Sequence, residues 1–188
     1  MHRNILFFVY IICFAFSLLA CRIDNSSPVF TLGVKNKDSK LLNELIQVND
    51  FDKSNYKIDN IQFFQKDMQG EVLEEASIWV VAFHLPENEY FQISHRLLLI
   101  NKNASVNQDG FYVFEQENGN LFDLGSDIKN VDSVKCSRYD SFQECLFVKK
   151  YDNVISVLSV VVRNSVDHDL MAQWVQPFLE KIEKRLKK

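Results

Sequence analysis

Three histidines and one pair of cysteines are the residues of the folded part whose types suit chemistry. His84 and His95 lie eleven positions apart. If their segments form a hairpin, the two rings would face each other. With an Asp or Glu nearby they would bind a metal or exchange protons. No recognised signature has that spacing, and satisfied or surface histidines are the plainer reading. Asp167-His168-Asp169 is the densest cluster of metal-capable side chains. Successive residues at a helix start point in different directions, so one metal cannot easily use all three. Asp167 has a simpler role as a helix cap, with the acids favouring the positive end of the helix. No Gly-x-Ser-x-Gly elbow accompanies the serines. No catalytic residue, metal ligand or cofactor is assigned on these grounds. A hydrolase using His84, His95 or His168 stands as the alternative to a binding protein.

The N-terminus carries a stronger pattern. Arg3 precedes an apolar run from Ile5 to Phe16, then Ser17-Leu18-Leu19-Ala20-Cys21. A short basic start, an apolar core and a small residue before the cut define a secretory signal. The run is shorter than the roughly 20 residues of a membrane-spanning helix. Leu18-Leu19-Ala20-Cys21 resembles the lipobox of bacterial lipoprotein precursors, a resemblance that covers the first 21 residues. It implies cleavage after Ala20, a diacylglyceryl group on the Cys21 sulfur and a cell-envelope address. Arg22 stands where an aspartate tends to retain such proteins at the inner membrane, so the outer membrane, facing the periplasm, is expected if two membranes are present. Two or three acyl chains hold a domain without any second membrane signal.

Residues 1–20 then leave as a signal peptide, 21–28 form a polar lipidated tether, and 29–188 form one globular domain. The signal removes Arg3 and no acid, so 20 basic residues face 25 acidic ones, a net charge of −5. Such a domain lacks the basic face that nucleic acid requires. The expected partners are the membrane, through the anchor at Cys21, and a protein of the envelope, for which an inhibitor, immunity or assembly role is compatible. Five glycines leave little room for a phosphate-cradling loop, and sixteen phenylalanines suit a packed core.

With Cys13 lost and Cys21 lipidated, Cys136 and Cys145 remain. In an oxidising compartment they read first as a disulfide, ahead of free thiols or a metal site. The residues between them offer carboxylates but no histidine or third cysteine. Tyr139-Asp140-Ser141 would turn the hairpin. Arg138, Tyr139, Asp140 and Phe142 on that stapled loop form the candidate contact surface for a partner.

The elements that must position these residues follow from periodicity. A helix is expected over 39–48, with Leu41, Leu42, Leu45 and Ile46 on one face. Strands are expected at 57–66, 71–75 and 77–85, with a turn near Met68-Gln69-Gly70. The run from Ile78 to Phe83 is apolar on both faces and suits a central strand. Residues 91–100 alternate as a strand, although Pro86 and the acids after it would also suit a helix start. A further strand is expected at 111–115. Strands at 131–136, 144–150 and 154–163 would form a meander, with a tight connection at Tyr151-Asp152-Asn153. A C-terminal helix begins near Asp167. Its expected buried stripe is Leu170, Trp174, Phe178, Ile182 and Leu186, with a kink or break at Pro177. Lys181, Lys184, Arg185, Lys187 and Lys188 make a basic end that is either a solvated face or a contact for anionic headgroups. The predicted class is α+β: a mostly antiparallel sheet with a short N-terminal helix and a C-terminal helix packed on one face.

Overall fold

A computed structural model describes residues 29–31, 40–67, 70–102, 119–124 and 128–187. The signal segment, Cys21 and the expected strand at 111–115 lie outside the described residues. Among the described residues eight strands build one sheet: β1 (Val29–Thr31), β2 (Tyr56–Asp67), β3 (Val72–His84), β4 (Glu89–Ile100), β5 (Asn120–Phe122), β6 (Ser133–Arg138), β7 (Phe142–Tyr151) and β8 (Val154–Arg163). Two helices accompany them, α1 (Lys40–Glu44) and α2 (His168–Leu186). The spatial order is β1-β2-β3-β4-β8-β7-β6-β5. β1 runs parallel to β2 and every other neighbouring pair is antiparallel.

Two meanders thus meet at the β4–β8 pair, which holds the middle of the sheet. β3 is interior, as its two apolar faces require. The strands expected at 71–75 and 77–85 are a single strand, because Glu75, Ala76 and Ser77 pair without interruption with Leu98, Leu97 and Arg96; the one register shift lies earlier, between Val72 and Glu74. Gly70 turns the chain between β2 and β3 at φ +105°, a conformation open to glycine. At the β7–β8 turn Tyr151 pairs directly with Val154, and Asp152 takes φ +49°.

Register aligns Ile61, Val80, Ile93, Val160, Cys145 and Cys136 in one row across six strands. Side chains opposite one another in a sheet share a face, and this whole row belongs to the main core. Met171, Trp174, Val175, Phe178, Leu179 and Ile182 of α2 belong to the same core. Phe178 packs against Phe51, Tyr56 and Phe91, with centroids 4.9, 5.8 and 6.0 Å away. A smaller cluster of Leu98, Ile100, Val148, Ile155 and Val157 sits on the other set of positions. In α2 the expected stripe is shifted: Leu170 is 37% exposed, while Met171, Val175 and Leu179 are buried. A four-residue step overshoots a full turn by about 40°, so a row spaced by fours winds off the buried side. Pro177 lies inside one continuous helix, not between two abutting ones.

α1 is shorter than the periodicity predicts. Leu45 and Ile46 lie beyond its end yet are fully buried. The Ile46 N–H donates to His95 Nδ1 at 3.0 Å, a bond from the sheet that replaces a helical one. The Gln47 amide donates to the carbonyls of Leu42 and Leu45, which satisfies the frayed end. Asp50 follows in a single 3₁₀ turn and meets the far end of α2. Arg185 engages both its carboxylate oxygens at 2.6 and 2.7 Å, and Lys181 donates to its carbonyl at 2.6 Å. Glu183, 13% exposed, accepts from Lys149 at 2.7 Å, Tyr151 at 3.0 Å and Lys187. Part of the basic end is thus spent on the fold: Lys181 and Arg185 serve Asp50, and Lys187 pairs with Glu183 while staying exposed, as Lys184 does.

These buried polar ties set an acid limit. Burial, helped by the Arg185 cation and opposed by Asp50, pushes His95 from 6.5 down to about 3. For Glu183, burial acts upward, but the donors Lys149, Lys187 and Tyr151 outweigh it and hold the carboxyl at about 2, below its ordinary 4.5. In both cases the unfolded chain takes up the proton first, so stability falls as pH falls. The expected decline starts below pH 6.5 and steepens below 4.5. Denaturant unfolding across that range checks it. His95→Asn, which still offers the Ile46 N–H an acceptor, should flatten the upper window, and Glu183→Gln the lower one.

Candidate functional site

Cys136 and Cys145 are direct cross-strand partners and form a disulfide with Cα atoms 4.1 Å apart. That separation is nearer the ~4.5 Å of a non-hydrogen-bonded antiparallel pair than the ~5.5 Å of a hydrogen-bonded one. The expected strands extend further than the periodicity suggested, to Arg138 and from Phe142, leaving Tyr139-Asp140-Ser141 as the turn. The Tyr139 N–H donates to the Phe142 carbonyl at 2.9 Å. Asn164 clamps the turn from β8's end, donating to the carbonyls of Tyr139 and Asp140 at 2.7 and 3.1 Å.

The four candidate contact residues separate on this frame. Arg138 and Asp140 are exposed, Phe142 is half-buried, and Tyr139 is buried. Tyr139 stacks obliquely on Phe142 at 4.6 Å and lies against Gly119. A Cβ at Gly119 would meet the Tyr139 ring at 2.6 Å and overlap the Ser137 hydroxyl. Glycine there lets the tyrosine turn inward, away from the surface assigned to it from sequence.

Arg138 instead joins the start of α2. Its Nη2 donates to His168 Nε2 at 2.9 Å. The His168 ring lies nearly parallel to Phe122 at 4.5 Å, and the Arg138 guanidinium sits 5.2 Å from the same ring centre. Asp167 caps the helix, accepting from the Leu170 N–H at 2.7 Å. Arg138, Asn164, Val166, Asp167, His168 and Asp169 line an open groove of about 680 Å³. Gln143 braces its floor by donating to the Val166 carbonyl. Phe122, Asn164 and Gln143 were not singled out from sequence. Each makes the cited contact with a partner at least 23 positions away, so no local pattern marks them.

The histidines do not converge. β3 and β4 do form a hairpin, but its register pairs His84 with Glu89 and His95 with Ile78, at different levels of the sheet. His84 stacks on Trp174 at 4.0 Å and meets Tyr56 edge-on at 5.0 Å. Burial lowers its basicity, against the pull of Glu87. His95 lies 3.0 Å from the Ser156 hydroxyl, the distance of a nucleophile and its base. The polarity is the reverse. Nδ1 accepts from Ile46, so the ring proton of neutral His95 sits on Nε2 and is donated to Ser156. A base must accept that proton, and His95 is fully buried. Among the described residues no three His, Cys, Asp or Glu side chains are grouped to hold a metal.

The disulfide closes a loop with a sequence separation of 9, worth about 2.5–3 kcal/mol on the chain-entropy estimate. Replacing both cysteines by serine should lower unfolding free energy by that order while keeping the fold. Denaturant titration of the double variant, beside the oxidised parent, checks it. A loss below ~0.5 kcal/mol would contradict the role of a staple.

Neither the family models, the curated proteins nor the solved structures show a match to this chain.

Proposed function

We propose that this chain is a lipid-anchored protein of the bacterial cell envelope that binds a protein partner, with no chemistry of its own. The anchor is Cys21, after cleavage of residues 1–20. The tether is 21–28, and 29–188 is one domain. The observation that carries this reading is the Cys136–Cys145 disulfide. Structural disulfides persist in exported, oxidising compartments, the address that the lipobox-like Leu18-Leu19-Ala20-Cys21 also gives. The partner surface is the stapled hairpin with the groove beside it, presented by Arg138, Asp140 and the edge of Phe142. A loop held by a disulfide and by Asn164 loses little further freedom on binding. The helices cover one face of the sheet, the side of the shared row from Ile61 to Cys136. For a hydrolase, His168 is the histidine that this groove would offer.

Mass spectrometry of protein extracted from membranes should find acylated Cys21 as the first residue, and Cys21→Ser should accumulate as precursor. A photo-crosslinking residue at Asp140 should give a discrete protein adduct in intact cells, and one at Asn49 none. A Cys21→Ser chain still cut after Ala20 and anchored would overturn the anchor. Equal labelling from both positions would overturn the surface.

A further inference from the structure

The first strand joins the domain to whatever precedes it, and its register says which part of the sheet lies nearest that junction. β1 pairs with β2 through Val29–Ile61, Phe30–Gln62 and Thr31–Phe63. Gln62 pairs in turn with Trp79, so Trp79 stands two strand spacings, ~10 Å, from β1. Side chains alternate along a strand, which puts Gln62, Phe64, Trp79, Val81 and Phe83 on the reverse of the row through Ile61 and Val80. Among the described residues, Phe64, Trp79 and Phe83 belong to neither apolar cluster. Phe64 is 39% exposed, and Trp79 and Phe83 are half-buried. We propose that this Phe64–Trp79–Phe83 face rests on the lipid bilayer that holds the Cys21 acyl chains, an inference that rests on the anchor proposed above.

The length of the tether carries the argument. Eight residue steps from Cys21 to Val29 span at most ~29 Å, and about 15 Å r.m.s. as a flexible chain. The aromatic face falls within that radius. β5, at the opposite edge, is seven spacings or ~33 Å from β1. The chemistry of the face agrees. An exposed apolar patch marks a docking surface, and tryptophan favours the boundary where one end is apolar and the other wet. Charges beside the patch balance: Lys57 and Lys66 on β2 are matched by Asp59 on β2 and Glu75 on β3. The contact is therefore apolar and needs no anionic headgroup. It is weak alone and effective because the tether makes it intramolecular. Twist of ~20–25° per strand turns β6 by roughly 80–100° relative to β3. The disulfide hairpin is thereby tilted off the lipid plane and left open to a partner.

The chain has two tryptophans. Trp174 is 7% exposed and packed in the main core, so Trp79 reports lipid contact without a label. The test reconstitutes the lipidated protein, extracted from membranes, in vesicles of phosphatidylethanolamine and phosphatidylglycerol with plain or brominated acyl chains. Flotation and tryptophan emission are both measured. With Trp79 seated roughly 5–10 Å into the interface, the wild type should lose at least about a quarter of its emission to bromine. Trp79→Phe keeps an aromatic ring there and should float equally well, with its emission unquenched. A photo-crosslinking residue at Phe64 should label lipid. A chain that does not float overturns the anchor and this face with it. One that floats with wild-type emission unquenched, or with quenching that persists in Trp79→Phe, overturns the face alone. An adduct from Phe64 to a second copy or to another protein, in place of lipid, would give the face to that occupant and overturn the bilayer contact.

Discussion

The rings around Phe178 join the parts of this chain that sequence keeps far apart. Phe178 is 2% exposed and touches Phe51 just ahead of β2, Tyr56 at the start of β2 and Phe91 in β4. Burying one such ring is worth about 1.5–3 kcal/mol, and offset or tilted pairs add ~0.5–1.5 kcal/mol. Trp174, one turn earlier, extends the cluster to His84 and Phe91. Met171, Val175 and Ile182 carry it along the helix. Without that shared core the central strands would present bare apolar rows, and α2 an unpartnered stripe. The polar ties described above could then find no fixed geometry.

Those ties are arranged around the rim of the same core. Asp50 and Arg185 are each at most 19% exposed and meet in a two-pronged pair, which fixes the 3₁₀ turn to the last turns of α2. Glu183 gathers Lys149 and Tyr151 from the sheet. His95 sits inside the core row next to Ile93 and Leu97, with both nitrogens bonded. Buried polar groups are tolerable when every bond is made and costly when one is lost. Their contribution is therefore position rather than net stability: they set where α1 ends and how α2 lies relative to β7 and β8. The groove at the opposite end of α2 inherits its shape from that placement.

The local rules carried well where the physics is local. The β7–β8 turn, the strand at 89–100, the Asp167 cap and the cysteine pairing all rest on neighbours within about ten residues, so propensity, alternation and spacing reach them. Helix α1 was overextended because Ile46 spends its N–H on a histidine 49 positions away. Leu170 lies at the surface because a strict four-residue row winds around the helix. Tyr139 is buried, and nothing in its own segment announces the glycine that receives it. The groove joins Arg138 to His168, 30 positions on. Sequence marked both residues, one as a contact and the other as part of an acid-rich triplet, but gave no reason to put them together. The Cys21 anchor differs in kind: it is read from the N-terminal pattern and stands as a proposal.

α2 and the sheet form one cooperative unit held at Phe178. Guanidinium unfolding of Phe178→Ala, followed together by far-ultraviolet circular dichroism and tryptophan fluorescence, tests that directly. The expected loss is about 3–5 kcal/mol, with both signals still changing in one transition. A loss under ~1 kcal/mol, or a helix that melts while the sheet stays folded, would contradict it.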